Sequence, residues 1–101
     1  MAHTLLQFDF PFSGPWGADM TAAMEGLAQD IATEPGLVWK VWTENRAEGR
    51  AGGIYVFDNP EAAAAYREKH SARLAEFGIT GINALAFDVN PDLSAITRAP
   101  L

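Results

Sequence analysis

The segments LVWKVWTE at residues 37–44 and IYVF at residues 54–57, with the polar stretch NRAEGRAGG between them, decide the fold of this chain. Aromatic and β-branched residues dominate both outer segments and favour β-strands, whereas the glycines and charges at residues 45–53 favour a loop. Two successive strands joined by such a loop pair as an antiparallel hairpin. We therefore predict a hairpin with a longish loop in the middle of the chain.

One amphipathic helix is predicted on each side of this hairpin. The first can be capped by Asp19 and is ended by EPG at residues 34–36, because proline and glycine disfavour helical continuation. Its apolar stripe is Met20, Met24, Leu27 and Ile31. The second begins with Asn59 as its cap and Pro60 in its first turn, and Gly78 ends it. Its apolar stripe is Ala63, Tyr66, His70, Leu74 and Phe77.

The first and last strands along the chain complete the pattern. Residues 3–12 alternate between apolar and polar side chains, as a half-buried strand does, and INALAFDV at residues 82–89 forms the fourth strand. The tail, residues 90–101, is expected to form a short strand or an arm. The order β-α-β-β-α-β is the ferredoxin-like arrangement of the α+β class, in which two helices cover one face of a four-stranded antiparallel sheet. We predict a single such domain over residues 1–101.

The other face of this sheet is left uncovered by the two helices. With a period of two along each strand, the side chains assigned to the helix-facing side are Leu6, Phe8, Phe10, Trp39, Val41, Ile54 and Val56. The uncovered face then carries Gln7, Asp9, Lys40, Trp42, Glu44, Tyr55 and Asn83, with Leu5, Leu85 and Phe87 near them. A slip of one residue would exchange the two sets. Such a mixture of apolar and polar groups is typical of a partly enclosed pocket, and two uncovered faces packed together would form a homodimer around it.

Composition narrows the function classes. Seven basic against thirteen acidic residues give a net charge of −6, and the basic residues are scattered, so a nucleic-acid partner is not expected. Zero cysteines remove thiolate nucleophiles, disulfides and Cys-type metal sites, and they agree with a cytoplasmic location. The amino end has no positively charged leader region, and no segment approaches the roughly 20 apolar residues that span a bilayer, so neither secretion nor membrane insertion is expected.

Known cofactor and nucleophile motifs are not found either. Gly49, Gly52 and Gly53 do not form GxGxxG or a Walker loop. His3 and His70 lack the spacing of a metal site, and the serines have no nucleophile-elbow context. The sequence then predicts a cavity walled by aromatic residues with a few hydrogen-bonding groups.

Four stretches, LLQFDFPFSGPWG, EPGLVWKVWTEN, AGGIYVFDN and HSARLAEFGI, resemble the YdhR family of monooxygenases, and the resemblance runs from about Leu5 into the tail. That family belongs to the dimeric α/β-barrel superfamily, so the resemblance implies the same fold and a homodimer. It also implies a monooxygenase similar to small enzymes that oxidise phenols to quinones with O₂ and without flavin, metal or other cofactor. The ligand would be a small aromatic or polycyclic phenol or enol.

Such chemistry implies roles for the polar side chains. Trp42 and Tyr55 would supply an aromatic platform and a phenolic hydrogen bond, while Lys40 and Asn83 would donate hydrogen bonds to the substrate anion. The expected catalytic residues are His70, Tyr55 and Asn83, and the expected substrate-binding residues are Trp42, Lys40, Gln7, Asp9 and Glu44. No residue is expected to bind a metal.

The base would be Asp9, Glu44 or His70, and His70 is the best single candidate because its unperturbed pKa lies near neutrality. Simpler interpretations stay open. His70 could be a hydrogen-bonded core or interface histidine, and Tyr55 could anchor its hydroxyl to a neighbouring backbone group. Lys40 and Glu44 could form a salt bridge at the rim of a dimer.

Two other functions stay open. Haem-degrading oxygenases of the same superfamily use a helix His as iron ligand together with a strand Asn and a strand Trp. His70 could match that ligand, but Gln7 and Tyr55 stand where Asn and Trp would be wanted. The other alternative is a dimeric small-ligand-binding or stress-related module without turnover.

Overall fold

The β-α-β-β-α-β order is present in a computed structural model that describes residues 3–101. Its elements are β1 (Thr4–Pro11), α1 (Gly17–Ile31), β2 (Leu37–Asn45), β3 (Arg50–Phe57), α2 (Pro60–Glu76), β4 (Asn83–Asp88) and α3 (Pro91–Ile96). Met1 and Ala2, which belong to the predicted domain and to the stretch inspected for a leader, lie outside the described residues.

All four strands form one antiparallel sheet in the order β2-β3-β1-β4, which confirms the ferredoxin-like prediction. Both long helices pack on one face of this sheet. Met20 and Ile31 of α1 and Tyr66 and Leu74 of α2 join the inward side chains of β1, such as Phe8, in one buried cluster. The backbone of α2 approaches β1 and β3 closely, whereas α1 stands farther from the sheet. This separation leaves space beneath α1.

The hairpin has a shorter loop than the sequence pattern predicts. Residues 50–53 extend β3, and residues 46–49 alone connect the two strands. Glycine is rare in strands, which is why the sequence favours a loop there. At Gly52 a Cβ would overlap the Phe8 carbonyl oxygen, and at Gly53 a Cβ would lie 2.7 Å from Lys40 Cε. Close packing of the backbones therefore requires Gly52, whereas a side chain at position 53 would displace the flexible Lys40 side chain.

The face assignment is correct for β1 and β4 and wrong for β2 and β3. Tyr55 pairs with Leu6 and Lys40 pairs with Tyr55, so these side chains share the helix-facing side. The residues wrongly assigned to the uncovered face are Lys40, Trp42, Glu44 and Tyr55, and those wrongly assigned to the helix-facing side are Trp39, Val41, Ile54 and Val56. Gln7, Asp9 and Asn83 do lie on the uncovered face, as predicted, with Leu5, Leu85 and Phe87.

A continuous apolar run explains this error. The segment IYVF at residues 54–57 has no polar member, so it carries no period of two by which one face could be chosen. Tyr55 on the helix-facing side and Val56 on the face that the two helices leave open are each 1% exposed, so both sides of β3 are buried at these residues. In β2, an irregularity in the register between Leu37 and Trp39 further obscures the alternation.

The first helix begins differently from the prediction. Trp16 occupies the cap position in place of Asp19, and the Trp16 side chain makes no capping hydrogen bond. The Gly17 N–H instead donates a hydrogen bond of 2.9 Å to Glu44 Oε1 on β2. A carboxylate from the sheet thus satisfies the positive end of α1. For α2, the predicted Asn59 cap is confirmed.

The tail forms the short helix α3 rather than a strand or an extended arm. Beyond α3, the Pro100 carbonyl accepts a hydrogen bond of 2.6 Å from Trp39 Nε1 on β2. Because β4 and β2 are the two edges of the sheet, the tail crosses from one edge to the other on the uncovered side, where Trp39 lies. Leu93 and Ile96 of α3 remain exposed.

Gly52→Ala tests the close approach of β1 and β3. The substitution is expected to lower the free energy of unfolding by roughly 1–3 kcal/mol, because the new Cβ overlaps backbone that must shift. Gly26→Ala inside α1 is the matched control. A Cβ there meets no described atom within 4 Å and should raise the free energy of unfolding by about 0.5–1 kcal/mol. Urea unfolding followed by circular dichroism measures both, and an unchanged Gly52→Ala protein would contradict this strand register.

Candidate active site

An apolar cavity, here called the inner cavity, lies between the two long helices and the helix-facing side of β2 and β3. It encloses about 40 Å³, room for about three water molecules. Met20, Met24 and Leu27 of α1 line it on one side, and Leu74 of α2 lines it on another. Its ionisable side chains are Lys40, Tyr55 and His70.

Lys40 reaches this cavity from the edge strand β2. Its Nζ lies 3.4 Å from the centroid of the Trp42 ring and 4.5 Å from that of the Tyr55 ring, which is cation–π geometry. Because Gly53 has no side chain, the Lys40 stem has room to lean inward over the sheet. None of the three ion pairs formed within residues 3–101 involves Lys40.

The surroundings of Lys40 favour its neutral form. Burial, and secondarily the charge of Arg73, lower the pKa of Lys40 to about 7. The ring faces of Trp42 and Tyr55 stabilise the ammonium and offset part of this effect. Near neutral pH, Lys40 is therefore present as both amine and ammonium and can accept or donate a proton.

His70 on α2 is 3% exposed and stacks on Tyr66, with the ring centroids 5.1 Å apart. Arg73 donates hydrogen bonds to His70 Nδ1 from Nη2 at 3.0 Å and from Nε at 3.3 Å. Since a guanidinium only donates, Nδ1 carries the lone pair and the neutral ring carries its proton on Nε2. Burial, together with the charges of Lys40 and Arg73, lowers the pKa of His70 to about 3. His70 thus offers an N–H donor at neutral pH.

Tyr55 and Tyr66 form a buried pair of phenols beneath the cavity. Their hydroxyl oxygens are 3.3 Å apart, and the two rings lie 5.0 Å apart. Burial raises the pKa of both phenols, that of Tyr66 to about 12. Both hydroxyls therefore stay protonated at neutral pH, and Tyr55 bonds to another side chain rather than to the backbone.

A more open groove, here called the outer groove, adjoins the inner cavity between α1 and β2. It measures about 270 Å³ and shares Met20, Met24 and Trp42 with the inner cavity. Methionine side chains are unbranched and flexible, so they can change rotamer with little cost. Glu44 also lines this groove, although its carboxylate is engaged by the Gly17 N–H.

The structure brings half of the predicted site residues together. Those that line the inner cavity are Lys40, Trp42, Tyr55 and His70. Gln7, Asp9 and Asn83 lie on the opposite face of the sheet. There the Asp9 carboxylate accepts two hydrogen bonds of 2.8 Å from Arg50. The sheet itself therefore separates these three residues from the inner cavity.

Two residues of the site are absent from the sequence-based prediction of function. Arg73 sets the tautomer of His70, and it follows His70 by three positions on α2. Side chains at that spacing meet on a helix, so the spacing is the signal that indicates Arg73. Tyr66 is identified on the apolar stripe, but its hydroxyl contact with Tyr55 depends on how α2 crosses the sheet.

Together these groups can accept an apolar ligand between aromatic and aliphatic walls, exchange a proton at Lys40 and donate a hydrogen bond from His70. Across residues 3–101, no three His, Asp or Glu side chains are grouped as a metal site would require. No helix within the same range combines the length and apolar character needed to cross a membrane.

Comparison with known proteins identifies a family and a fold. The family described as "Putative mono-oxygenase ydhR" matches residues 5–100. Among solved structures, the chain is similar to a protein of Deinococcus radiodurans described as a "putative antibiotic biosynthesis monooxygenase", with a TM-score of 0.58 and 15% identity over 86% of this chain and 92% of that one. At this identity the likeness concerns the fold alone. No curated protein sequence matches the chain.

The lowered pKa of Lys40 predicts how stability depends on pH. Between about pH 7 and pH 9 the unfolded chain binds a proton at Lys40 that the folded chain largely lacks, so the free energy of unfolding should rise with pH, by up to about 1.4 kcal/mol per pH unit. Urea unfolding at several pH values measures this slope. Lys40→Met should remove it and Lys69→Met should keep it. A flat profile for the unsubstituted protein would contradict the assigned pKa.

Proposed function

Because this chain belongs to the YdhR family of mono-oxygenases, we propose that it is a cofactor-independent monooxygenase that oxidises a small aromatic or polycyclic phenol or enol with O₂. The family and the fold support a monooxygenase-like function in general. One observation carries the finer proposal. The Lys40 amine lies against aromatic rings in an apolar cavity that His70 also lines, without an ion-pair partner among residues 3–101.

In the proposed reaction, Lys40 Nζ takes the proton of the phenol or enol and stays beside the resulting anion as an ammonium. The His70 Nε2–H donates a hydrogen bond to the same oxyanion. The anion transfers one electron to O₂, and the two radicals combine through a new C–O bond to give a peroxide. The Lys40 ammonium returns its proton to the peroxide, and loss of water then leaves a quinone from a phenol or a 1,2-dicarbonyl compound from an enol. One oxygen atom of O₂ thus enters the product and the other leaves as water.

The walls of the inner cavity support this chemistry in two ways. The rings of Trp42 and Tyr55, over which Lys40 Nζ lies, provide aromatic walls that place a planar substrate beside the amine. Their apolar surroundings keep bulk water away, which strengthens the attraction between the Lys40 ammonium and an anion. A planar substrate exceeds 40 Å³, so we propose that it enters from the outer groove as Met20 and Met24 change rotamer.

We further propose that a second copy of the chain covers the part of the uncovered sheet face that the tail leaves exposed. On that face Val41 of β2 is 52% exposed and Leu85 and Phe87 of β4 are 40% and 47% exposed, so both edge strands present apolar surface to water. Packing two such faces about a two-fold axis would remove it from water. The inner cavity lies on the other side of the sheet. The homodimer would therefore support the sheet behind each cavity, and the cavity would not lie between the subunits.

Lys40→Met tests the oxygenase proposal. Methionine keeps an apolar stem but cannot take a proton, so kcat for O₂-dependent quinone formation is expected to fall by at least about 10²-fold. Lys69→Met, on the exposed side of α2, is the matched control and should keep full activity. Oxygen uptake and quinone absorbance are measured over a panel of hydroxyarenes and enols, with protein freed of metal and flavin.

The same panel separates the alternative functions. If no compound supports oxygen uptake but several bind saturably, the chain is a ligand-binding module and Lys40→Met changes only affinity. A Soret shift on haemin titration that is lost in His70→Ala would support the haem-degrading alternative and refute cofactor independence.

Val41→Glu tests the homodimer. A carboxylate buried between two apolar sheet faces would lose its hydration without gaining a partner. The substitution is therefore expected to weaken association at least tenfold. Ala65→Glu on the exposed side of α2 is the control that should leave the dimer intact. Sedimentation velocity at several concentrations measures both. A monomeric unsubstituted protein at high concentration would refute this part of the proposal.

A further inference from the structure

The chain contains two lysines, and the fold gives them opposite surroundings. Lys69 Nζ is exposed and lies 3.0 and 2.7 Å from the two carboxylate oxygens of Glu34. Lys40 Nζ lies over the rings of Trp42 and Tyr55 at the wall of the inner cavity. A neighbouring carboxylate holds an amine protonated, whereas desolvation releases its proton. The same functional group is therefore paired with a carboxylate at one position and desolvated against aromatic rings at the other.

The groups that surround Lys40 come from both layers of the fold. The sheet contributes the neutral phenol of Tyr55, and α2 contributes the neutral ring of His70 with the Arg73 guanidinium behind it. From α1 the cavity receives apolar side chains such as Met24, and no acid of the described chain lines it. Burial and the Arg73 charge lower the pKa of Lys40 to about 7, in agreement with this geometry.

We propose that Lys40 Nζ captures small apolar carbonyl compounds, namely aldehydes and 1,3-diketones, as imines in the inner cavity. This reactivity goes beyond the proposed oxygenation. A cavity of about 40 Å³ holds only about three non-hydrogen atoms, so the carbonyl end of a short ligand would lie in the cavity while its remainder extends towards the adjoining outer groove. Lysines desolvated in hydrophobic pockets are activated for this chemistry, and Lys40, at the wall of the inner cavity, meets this condition.

The reaction is a condensation and needs no oxidant or reductant. The Nζ lone pair attacks the carbonyl carbon and forms a C–N bond, while the carbonyl oxygen takes up a proton to give a carbinolamine. Nitrogen then loses a proton, and the hydroxyl group leaves with a proton as water. The product is a C=N bond between Lys40 and the ligand. With a 1,3-diketone, the imine rearranges to a conjugated enaminone that absorbs in the near ultraviolet.

Reductive tagging of the folded, full-length chain tests the proposal. Butanal and sodium cyanoborohydride at pH 7 convert each imine to a stable secondary amine, and peptide mass spectrometry locates the tag. We expect Lys40 to be tagged roughly tenfold faster than Lys69, because burial lowers the pKa of Lys40 to about 7 and leaves a large fraction of its amine unprotonated at pH 7. In urea that unfolds the chain, both lysines should be tagged at similar rates. The amino-terminal amine is mapped in a separate peptide.

Two results would overturn the proposal. The first is equal tagging of Lys40 and Lys69 in the folded protein, and the second is a preference for Lys40 that survives in urea. The peptide map of the unsubstituted protein needs no variant, so it stays decisive if a substitution harms folding.

Variants add a spectroscopic test with acetylacetone as the probe. Lys40→Arg keeps the positive charge but removes the nucleophile, so the fast rise in enaminone absorbance should disappear. Lys69→Arg is the matched control and should keep the fast rise. A fast rise that persists in Lys40→Arg would also overturn the proposal.

Discussion

The antiparallel pairing of β1 with β3 is the constraint on which the candidate site depends. It places Tyr55 opposite Leu6, and the pairing of β2 with β3 then places Lys40 opposite Tyr55. Because side chains alternate between faces, a slip of one residue would turn Lys40 and Tyr55 away from the helices. Gly53 belongs to the same arrangement, since a side chain there would meet the Lys40 stem.

Burial acts on the ionisable groups of the inner cavity with different consequences. The chain has a net charge of −6, yet the titratable groups that could become cationic in this cavity are Lys40 and His70. Burial lowers the pKa of Lys40 to about 7 and that of His70 to about 3. Lys40 can therefore gain or lose a proton near neutral pH, whereas His70 stays neutral and donates a hydrogen bond. Arg73 decides which nitrogen of His70 carries that proton. An anionic ligand would meet complementary charge here.

The helices, strands and their order follow from local patterns, and so do several details. The Asn59 cap and the buried side chains of α2, His70 among them, agree with the spacing of the sequence. Which side chains of β2 and β3 face the helices does not follow from such patterns, because IYVF at residues 54–57 is apolar throughout and contains buried side chains on both sides of the sheet. The Glu44 cap on α1 joins residues that are 27 positions apart, beyond the reach of any local signal.

The sequence by itself determined the fold class, the two-layer arrangement of helices on one sheet face and the family resemblance, because periodicity, caps and turns act over a few residues. Four of the site residues predicted from the sequence line the inner cavity. The alternation of side chains nevertheless assigned three of them, Lys40, Trp42 and Tyr55, to the wrong face of the sheet. Only the tertiary structure decided where the cavity lies and how its groups are protonated. Strand register and desolvation are set by packing partners distant along the chain, and local sequence patterns do not specify those partners.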